Sequence, residues 1–597
     1  MPIVRSFRAR PALDFALVGA VAIAVRLAHA WFISRTPFFE GPIIDAAVNR
    51  GLATQLAGPG ALRAAFYQPP LYPVFLSLLY RVGLASAWRV AVAQSLLGAA
   101  TAVLLVAIAR RLTAPLEQKR AVGLICGMAA ALYGPLVLFD LELLPPCCVD
   151  LLLAGALLLA LRAGRLGAAD AALGLLLGLA VVGWPPSAVL APGLLWLRYR
   201  RVAVGRGALL LITLGCAAVP VASAARFNAR HGGEGVIVSY NLGINLWLGN
   251  NPKWRDTWRA RPGAAFEPEL ERPDREGATR PAARSAYFVR SVLDDARRRP
   301  LALLARTEEK LYYVWHGREI RRDQDIELLR EASPVLRALL WEAGVAFPFG
   351  LLAPLGLLAI WRRRDEPDVR CLALGLASYA LVLALFFVSS RYRLPMVLWL
   401  LPLASEQALW LVRSARLNPL VLVAPAALLA LLNLPNAFTK TFAADAAERG
   451  TLEATAWKNQ GRFDRAEALA AELVQRFPAD ANVAMLQAEL LVSAGRCRDA
   501  EPLLKKTLEL APRTATPRVM LADCYAALGR EREAEQQLVS ALALHPYHPL
   551  ALRDISLLFV RQHRGVEARA LVGRFLAAGY RDPELVARVF PAGAPGS

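Results

Sequence analysis

Asp45 stands in the stretch FFEGPIIDAAVNRGLA, just beyond an apolar run that ends near residue 33, so a carboxylate is held at a bilayer surface. Such a group can take a proton from a nucleophile or cap the helix expected over Ala46 to Ala57. Asp140 and Glu142 lie in the tight turn YGPLVLFDLELLPP, where they either line a pocket or sit solvated at the interface. Arg391 and Arg393 occur where a late apolar run meets the outer surface. A guanidinium there matches phosphate oxygens with two donors, or it anchors the span by snorkelling. Asn241, Asn245, Asn250 and Asn251, in NLGINLWLGNNP, carry amides of the kind that fix polar ligands, and Gly243 and Gly249 permit tight turns. Tyr67 opens the run YQPPLYPVFLSLLYRVG. His231 and His316 are isolated and read as surface or packing residues. No His, Asp or Glu cluster has diagnostic metal spacing, which leaves a divalent cation shared with a phosphate open.

The elements that must position these groups are membrane spans. At 597 residues, 56% hydrophobic content and mean hydropathy +0.39, the chain exceeds any single soluble domain. Apolar runs occur near 13–33, 88–109, 121–139, 143–161, 168–183, 187–198, 207–225, 338–360, 371–388, 394–412 and 418–434, or about eleven spans. Arg5, Arg8 and Arg10, then Arg110, Arg111, Arg162, Arg165, Arg198, Arg201, Arg362, Arg363 and Arg413 mark every second connection as cytoplasmic. The N-terminus is then inside. The first outer loop (34–87), the long outer loop (226–337) and the C-terminal tail are outside, in a periplasm or its equivalent. The net charge of +21 is absorbed largely by the inside loops, which removes the case for nucleic acid. Five of the seven cysteines lie in or beside spans and pack as small apolar residues, while Cys497 and Cys524 lie in the tail without metal-ligand spacing.

In the first outer loop, helical periodicity in IIDAAVNRGLATQLA and PPLYPVFLSLLYRV predicts two short helices lying along the surface. After Asn436 a period of 34 begins. Gly461, Gly495 and Gly529 recur in register with Ala466, Ala500, Ala534 and Ala568 and with Pro478, Pro512 and Pro546. Residues 436–597 therefore resemble tetratricopeptide repeats, three clear and a fourth degenerate one at about 549–580. Such an array presents a concave face to a protein partner, or it packs over the outer face of its own membrane domain.

Residues 10 to 415 resemble the family 39 branch of the GT-C glycosyltransferases, multispan enzymes with a polyprenyl-phosphate-linked sugar as donor. The match rests on Asp45 in the first outer loop, on Pro70-Leu71-Tyr72-Pro73, and on RVAVAQSLLGAATAVLLVAIARRL, GINLWLGNNP and SSRYRLPMVLWLLPLAS, in the family's order. The resemblance implies a mainly α, GT-C membrane domain over 1–435 and inverting sugar transfer on the outer face of a bacterial inner membrane. It makes Asp45 the catalytic base and Arg391 and Arg393 the phosphate ligands. Glu142, Asp140, Tyr67 and the four asparagines would line the pocket, and a lipid, glycan or protein would be acceptor. The chain departs from the family at Pro145 and Pro146, where relatives carry charged residues, and at GWPPS, Trp184 to Ser187, where an Arg-containing turn is usual. Two rivals stand beside this reading. An O-antigen-ligase-like transferase would depend on Arg and His of the long outer loop; a non-catalytic scaffold would use the repeats to assemble a complex.

Overall fold

The computed structural model describes residues 11–590 except 60, 61, 63, 114, 115, 165, 203, 204, 260–262, 265, 323, 324, 417, 437, 440–443 and 581. Arg5, Arg8, Arg10 and Arg165, invoked above for orientation, lie outside the described residues. The chain is a multi-pass membrane protein, a bundle of apolar helices followed by a helical solenoid. Among the described residues five helices are long and apolar enough to cross a bilayer: Ala12–Ile33, Ala87–Leu112, Arg206–Arg230, Pro367–Leu385 and Ser390–Ala415. Shorter apolar helices, including Pro146–Ala160, Ala168–Gly183, Phe349–Arg362 and Pro419–Asn433, fill the space between them.

The short helices are interrupted for local reasons. Lys119–Ala131 stops before Gly134–Phe139, whose second residue is Pro135, and Ala168–Gly183 gives way to a 3-10 segment at Pro185–Leu190. Proline lacks the N–H that would continue a helix. The expected span at 338–360 is also shorter than its apolar run. It begins at Phe349, because Trp341–Glu342 and Ala346–Phe347 pair as a small antiparallel hairpin first.

Close contact in the bundle depends on small residues. Gly174 and Gly178 lie one turn apart, and a Cβ on them would come within 2.1 Å of the Thr213 carbonyl and 2.2 Å of the Ala217 carbonyl. Helix Ala168–Gly183 thereby seats directly on the backbone of Arg206–Arg230, the small-residue contact typical of membrane helices. Buried carboxylates in the bundle are matched by arginines: Asp140 with Arg26, Asp170 with Arg198, Asp14 with Arg110 and Arg120, and Glu406 with Arg363.

The two surface helices form at Ile44–Ala57 and Leu71–Arg81. The second buries Tyr72 and Leu76 and leaves Val74, Leu78 and Val82 exposed, an apolar face suited to lipid. The solenoid comprises four helix pairs from Ala446–Asn459 to Gly565–Ala577 and a final helix, Pro583–Val589. Gly461, Gly495 and Gly529 take φ of +84°, +74° and +75° at the turns inside the first three pairs. The fourth pair has His563 at the equivalent place, at φ +59°, so the degenerate repeat keeps the turn without the residue suited to it.

The solenoid lies against the 34–87 and 226–337 segments of the same chain. Ile43 packs on Leu452 and Ala456, Asn459 donates to the Pro42 carbonyl at 2.8 Å, and Arg321 forms a two-pronged pair with Glu448 at 2.6 and 2.7 Å. Farther along, Glu267 accepts from the Ala515 and Thr516 amides, each at 2.8 Å.

Candidate functional site

Asp45 does not cap its helix. The N-cap position is Ile43, with no side-chain cap, and Asp45 lies inside the first turn. Ile44 just before it takes φ +50°, a left-handed conformation that a β-branched residue adopts only under constraint. That turn directs the carboxylate inward: Oδ1 accepts from Gln68 Nε2 at 2.6 Å, and Oδ2 from Arg391 Nη2 at 3.0 Å. Arg391 Nη2 also donates to the Tyr392 hydroxyl at 3.1 Å. Arg391 is 8% exposed and Asp45 28%, so the pair has one member in the protein and one near the opening.

The pair lies on the wall of a cavity of about 760 Å³. Asp45, Asn49 and Gln68 come from the first outer loop; Pro145, Pro146, Val149 and Asp150 from the start of the fourth apolar segment; Trp184, Pro185 and Pro186 from the break after Gly183. The long outer loop adds residues 235–242, Asn245, Ser285 and Arg290, and the late spans add Leu383, Phe387, Arg391 and Tyr392. Most of these are apolar, with a few polar groups converging on them, the usual composition of a ligand pocket. The departures noted in sequence, Pro145, Pro146 and Trp184, all form cavity wall. Unwound backbone at membrane depth is tolerated where it lines a cavity, and the Trp184–Pro186 break does so. Trp184 Nε1 donates to the Tyr379 hydroxyl at 2.7 Å, and that hydroxyl donates to the Tyr392 carbonyl at 3.1 Å.

Of the residues singled out in sequence, Asp45, Asn241, Asn245 and Arg391 line the cavity. The others are placed elsewhere. Arg393, 1% exposed, donates to the His316 and Arg318 carbonyls and to Glu319 at 2.6, 3.0 and 2.8 Å, and it stacks over Phe349. Asp140 pairs with Arg26 Nε at 2.8 Å, in room that Gly98 leaves. Glu142 is buried beside Gln94, which donates to its carbonyl at 2.8 Å. Tyr67 meets Tyr240 edge-on with centroids 5.1 Å apart.

Asn250 donates to the Leu246 and Leu385 carbonyls and accepts from the buried Lys310 at 3.0 Å. Burial lowers the Lys310 amine to about 7. Asn251 bonds Thr257 Oγ1 at 2.7 Å and accepts from the Lys253 amide. Gly243 and Gly249 sit inside helix Leu242–Asn250 rather than in turns. A Cβ on them would meet the Ser285 and Phe386 carbonyls at 2.0 and 1.7 Å, so their smallness permits close packing. His231 stacks on Phe227, and His316 bonds the Leu434 carbonyl.

Sequence reasoning passed over Asp150. It is 1% exposed, on helix Pro146–Ala160, and neither carboxyl oxygen has a hydrogen-bond partner. Its signal in the sequence was an ionisable residue inside an apolar run. For a metal, the group with converging atoms among the described residues is Glu271, His545 and His548, within 4.8 Å of one another. These lie where the long loop meets the solenoid, and none lines the cavity. His545 sits 3.2 Å from Glu271 and 3.1 Å from Asp274, while Arg284 pairs with Asp274 and Arg275 stands 3.9 Å from Glu271. With these cations present the carboxylates are already compensated, and the cluster works as an ionic contact between loop and repeats.

The tetratricopeptide-repeat family matches residues 491–546. No curated protein matches the chain. Among solved structures, MamA MSR-1 C2 aligns at 21% identity and TM-score 0.21, covering 29% of this chain and 91% of that one. ArnT from Cupriavidus metallidurans, solved with undecaprenyl phosphate, aligns at 12% identity and TM-score 0.38 over 93% of this chain and 81% of its own. The archaeal oligosaccharyltransferase AglB from Archaeoglobus fulgidus, solved with an inhibitory peptide and a dolichol-phosphate, aligns at 12% identity and TM-score 0.39 over 77% of this chain. The present chain spans 60% of the length of AglB.

Proposed function

We propose that this protein is a membrane glycosyltransferase of the GT-C type. It moves a sugar from a polyprenyl-phosphate donor to a lipid, glycan or protein acceptor on the outer face of a bacterial inner membrane, with its N-terminus cytoplasmic. The observation that carries the reading is the Asp45–Arg391 pair, 3.0 Å apart on the wall of a large and mainly apolar cavity. The family motifs around Asp45 and Pro70-Leu71-Tyr72-Pro73 support it.

In the reaction the acceptor hydroxyl attacks the anomeric carbon from the face opposite the phosphate. Asp45 takes the hydroxyl proton, a new C–O bond forms, and the bond to the phosphate oxygen breaks with its electron pair leaving on phosphate. Arg391 receives that charge, since a buried guanidinium is most effective where water is excluded. An arriving phosphate also competes with Asp45 for Arg391, which loosens the carboxylate at the moment a base is needed. The prenyl chain rests on apolar surface such as Val74 and Leu78.

Neither His231 nor His316 lines the cavity, whereas Arg290 of the long loop does. The solenoid's contacts with Pro42 and Ile43 favour a role in holding the Asp45 loop, with a protein partner then bound on the remaining face. Replacing Asp45 by Asn removes the base and keeps the shape, and a general base contributes roughly a hundred- to ten-thousandfold. Surface glycans of cells carrying Asp45→Asn at normal protein level should therefore lose the product. Unchanged glycans would favour the scaffold or the ligase-like reading.

A further inference from the structure

Asp150 presents a problem of physical chemistry. A buried polar group without a partner is strongly disfavoured, and a carboxyl in a membrane domain more so. The bundle deals with its other acids by pairing them: Asp140 with Arg26, Asp170 with Arg198, Glu406 with Arg363. Among the described residues Asp150 has no such arginine and neither of its oxygens is bonded, and it lies on the wall of the cavity beside Val149, Pro146 and Trp184. A side chain kept in that state is explained by a partner that arrives from the cavity.

The chemistry of that partner is narrowed by what a carboxyl tolerates. A phosphate already has Arg391 on the same cavity. A prenyl chain offers no hydrogen-bond donor. The remaining part of the proposed donor is its sugar, which carries several. Asp150 is also almost sealed at 1% exposure, whereas Asp45 is open enough to meet an acceptor from outside at 28%. We infer that Asp150 is a sugar-recognition residue, the polar end of the cavity, accepting hydrogen bonds from the donor's sugar through hydroxyls or an ammonium group. This inference rests on the glycosyltransferase reading.

The test uses full-length protein in lipid nanodiscs and three probes: undecaprenyl phosphate, an undecaprenyl-phosphate-linked hexose and the matching amino-hexose. Wild type should bind a sugar-bearing probe more tightly than the bare carrier. Asp150→Asn should erase up to about tenfold of that gain, the worth of a hydrogen bond, against the bare carrier as reference. Loss on both sugars assigns hydroxyls, and loss confined to the amino-hexose assigns an ammonium. Loss on neither, or no gain from sugar in wild type, overturns the inference.

Thermal melting separates recognition from structure. Because Asp150 supports nothing in the fold, Asp150→Asn and Asp150→Leu should melt at or above the wild-type temperature. A clear drop for both would make Asp150 structural and overturn the proposal. Failure of wild type to bind undecaprenyl phosphate, with Arg391→Ala indistinguishable from it, would instead remove the glycosyltransferase reading, and this inference with it.

Discussion

Asp140 and Asp150 are two buried acids ten positions apart in the sequence, 2% and 1% exposed, with opposite surroundings. Asp140 faces the bundle interior, where Arg26 meets it with two nitrogens at 2.8 and 2.7 Å and Gly98 leaves the room. Asp150 faces the cavity and has nothing. Arg393 is held by carbonyls and Glu319, while Arg391 two residues earlier reaches the cavity and pairs there with Asp45. The bundle uses Asp140 in a matched pair that holds helices together, and on the cavity wall Asp45 and Arg391 are paired as well; Asp150 differs from both acids. Burial alone therefore does not tell Asp140 from Asp150, whereas their partners do.

The contrast can be broken most severely at Arg26. Arg26→Leu strands Asp140 in the interior, and removing one partner of a buried pair costs about 3–5 kcal/mol. The expected outcome is loss of folded, monodisperse protein, read by thermal melting in detergent; a melt near wild type would show that Asp140 does not depend on its arginine. The double variant Arg26→Leu with Asp140→Leu should recover much of that loss, since apolar replacement of a whole buried pair is often neutral.

A smaller effect is expected where the bundle closes on backbone. Gly178→Val places its Cβ against the Ala217 carbonyl and should cost about 1–3 kcal/mol by overpacking. Gly207→Ala, on the same partner helix with nothing near its Cβ, should leave the melt unchanged.

The smallest effect concerns the ionic contact between loop and solenoid. Burial pushes the His545 imidazole down, but the carboxylates of Asp274 and Glu271 outweigh it, and the result is raised above 6.5. Arg284, Arg275, His548, Glu267, Tyr240 and Tyr580 are further charged or titratable groups around this contact. A raised folded value means the contribution is full below the unfolded value and is lost as pH rises through the folded one. Proteolysis of the 267–275 segment should quicken as pH is raised from about 6 to about 8, the range over which His changes charge. His545→Gln should flatten that dependence, and an unchanged slope would assign the effect elsewhere.

Much of the architecture was legible in the chain because it depends on local repetition. The 34-residue register gave the solenoid turns, where the three glycines take positive φ, and periodicity placed the surface helices close to Ile44–Ala57 and Leu71–Arg81. The site was less so. Asn250 and Asn251 looked like ligand amides, yet they are engaged by Lys310, Thr257 and backbone carbonyls. Gly243 and Gly249 looked like turn residues because the sequence does not reveal which carbonyl will press against them.

The amino-acid sequence by itself determined what short-range forces dictate: apolar runs long enough for a bilayer and a periodic helical tail. The tertiary structure decided which charges meet. Asp45 and Arg391 are 346 positions apart, and Arg26 and Asp140 are 114 apart. Hydrogen bonds act over about 3 Å, so no spacing along the chain could tell the acid that is neutralised from the acid that is left waiting.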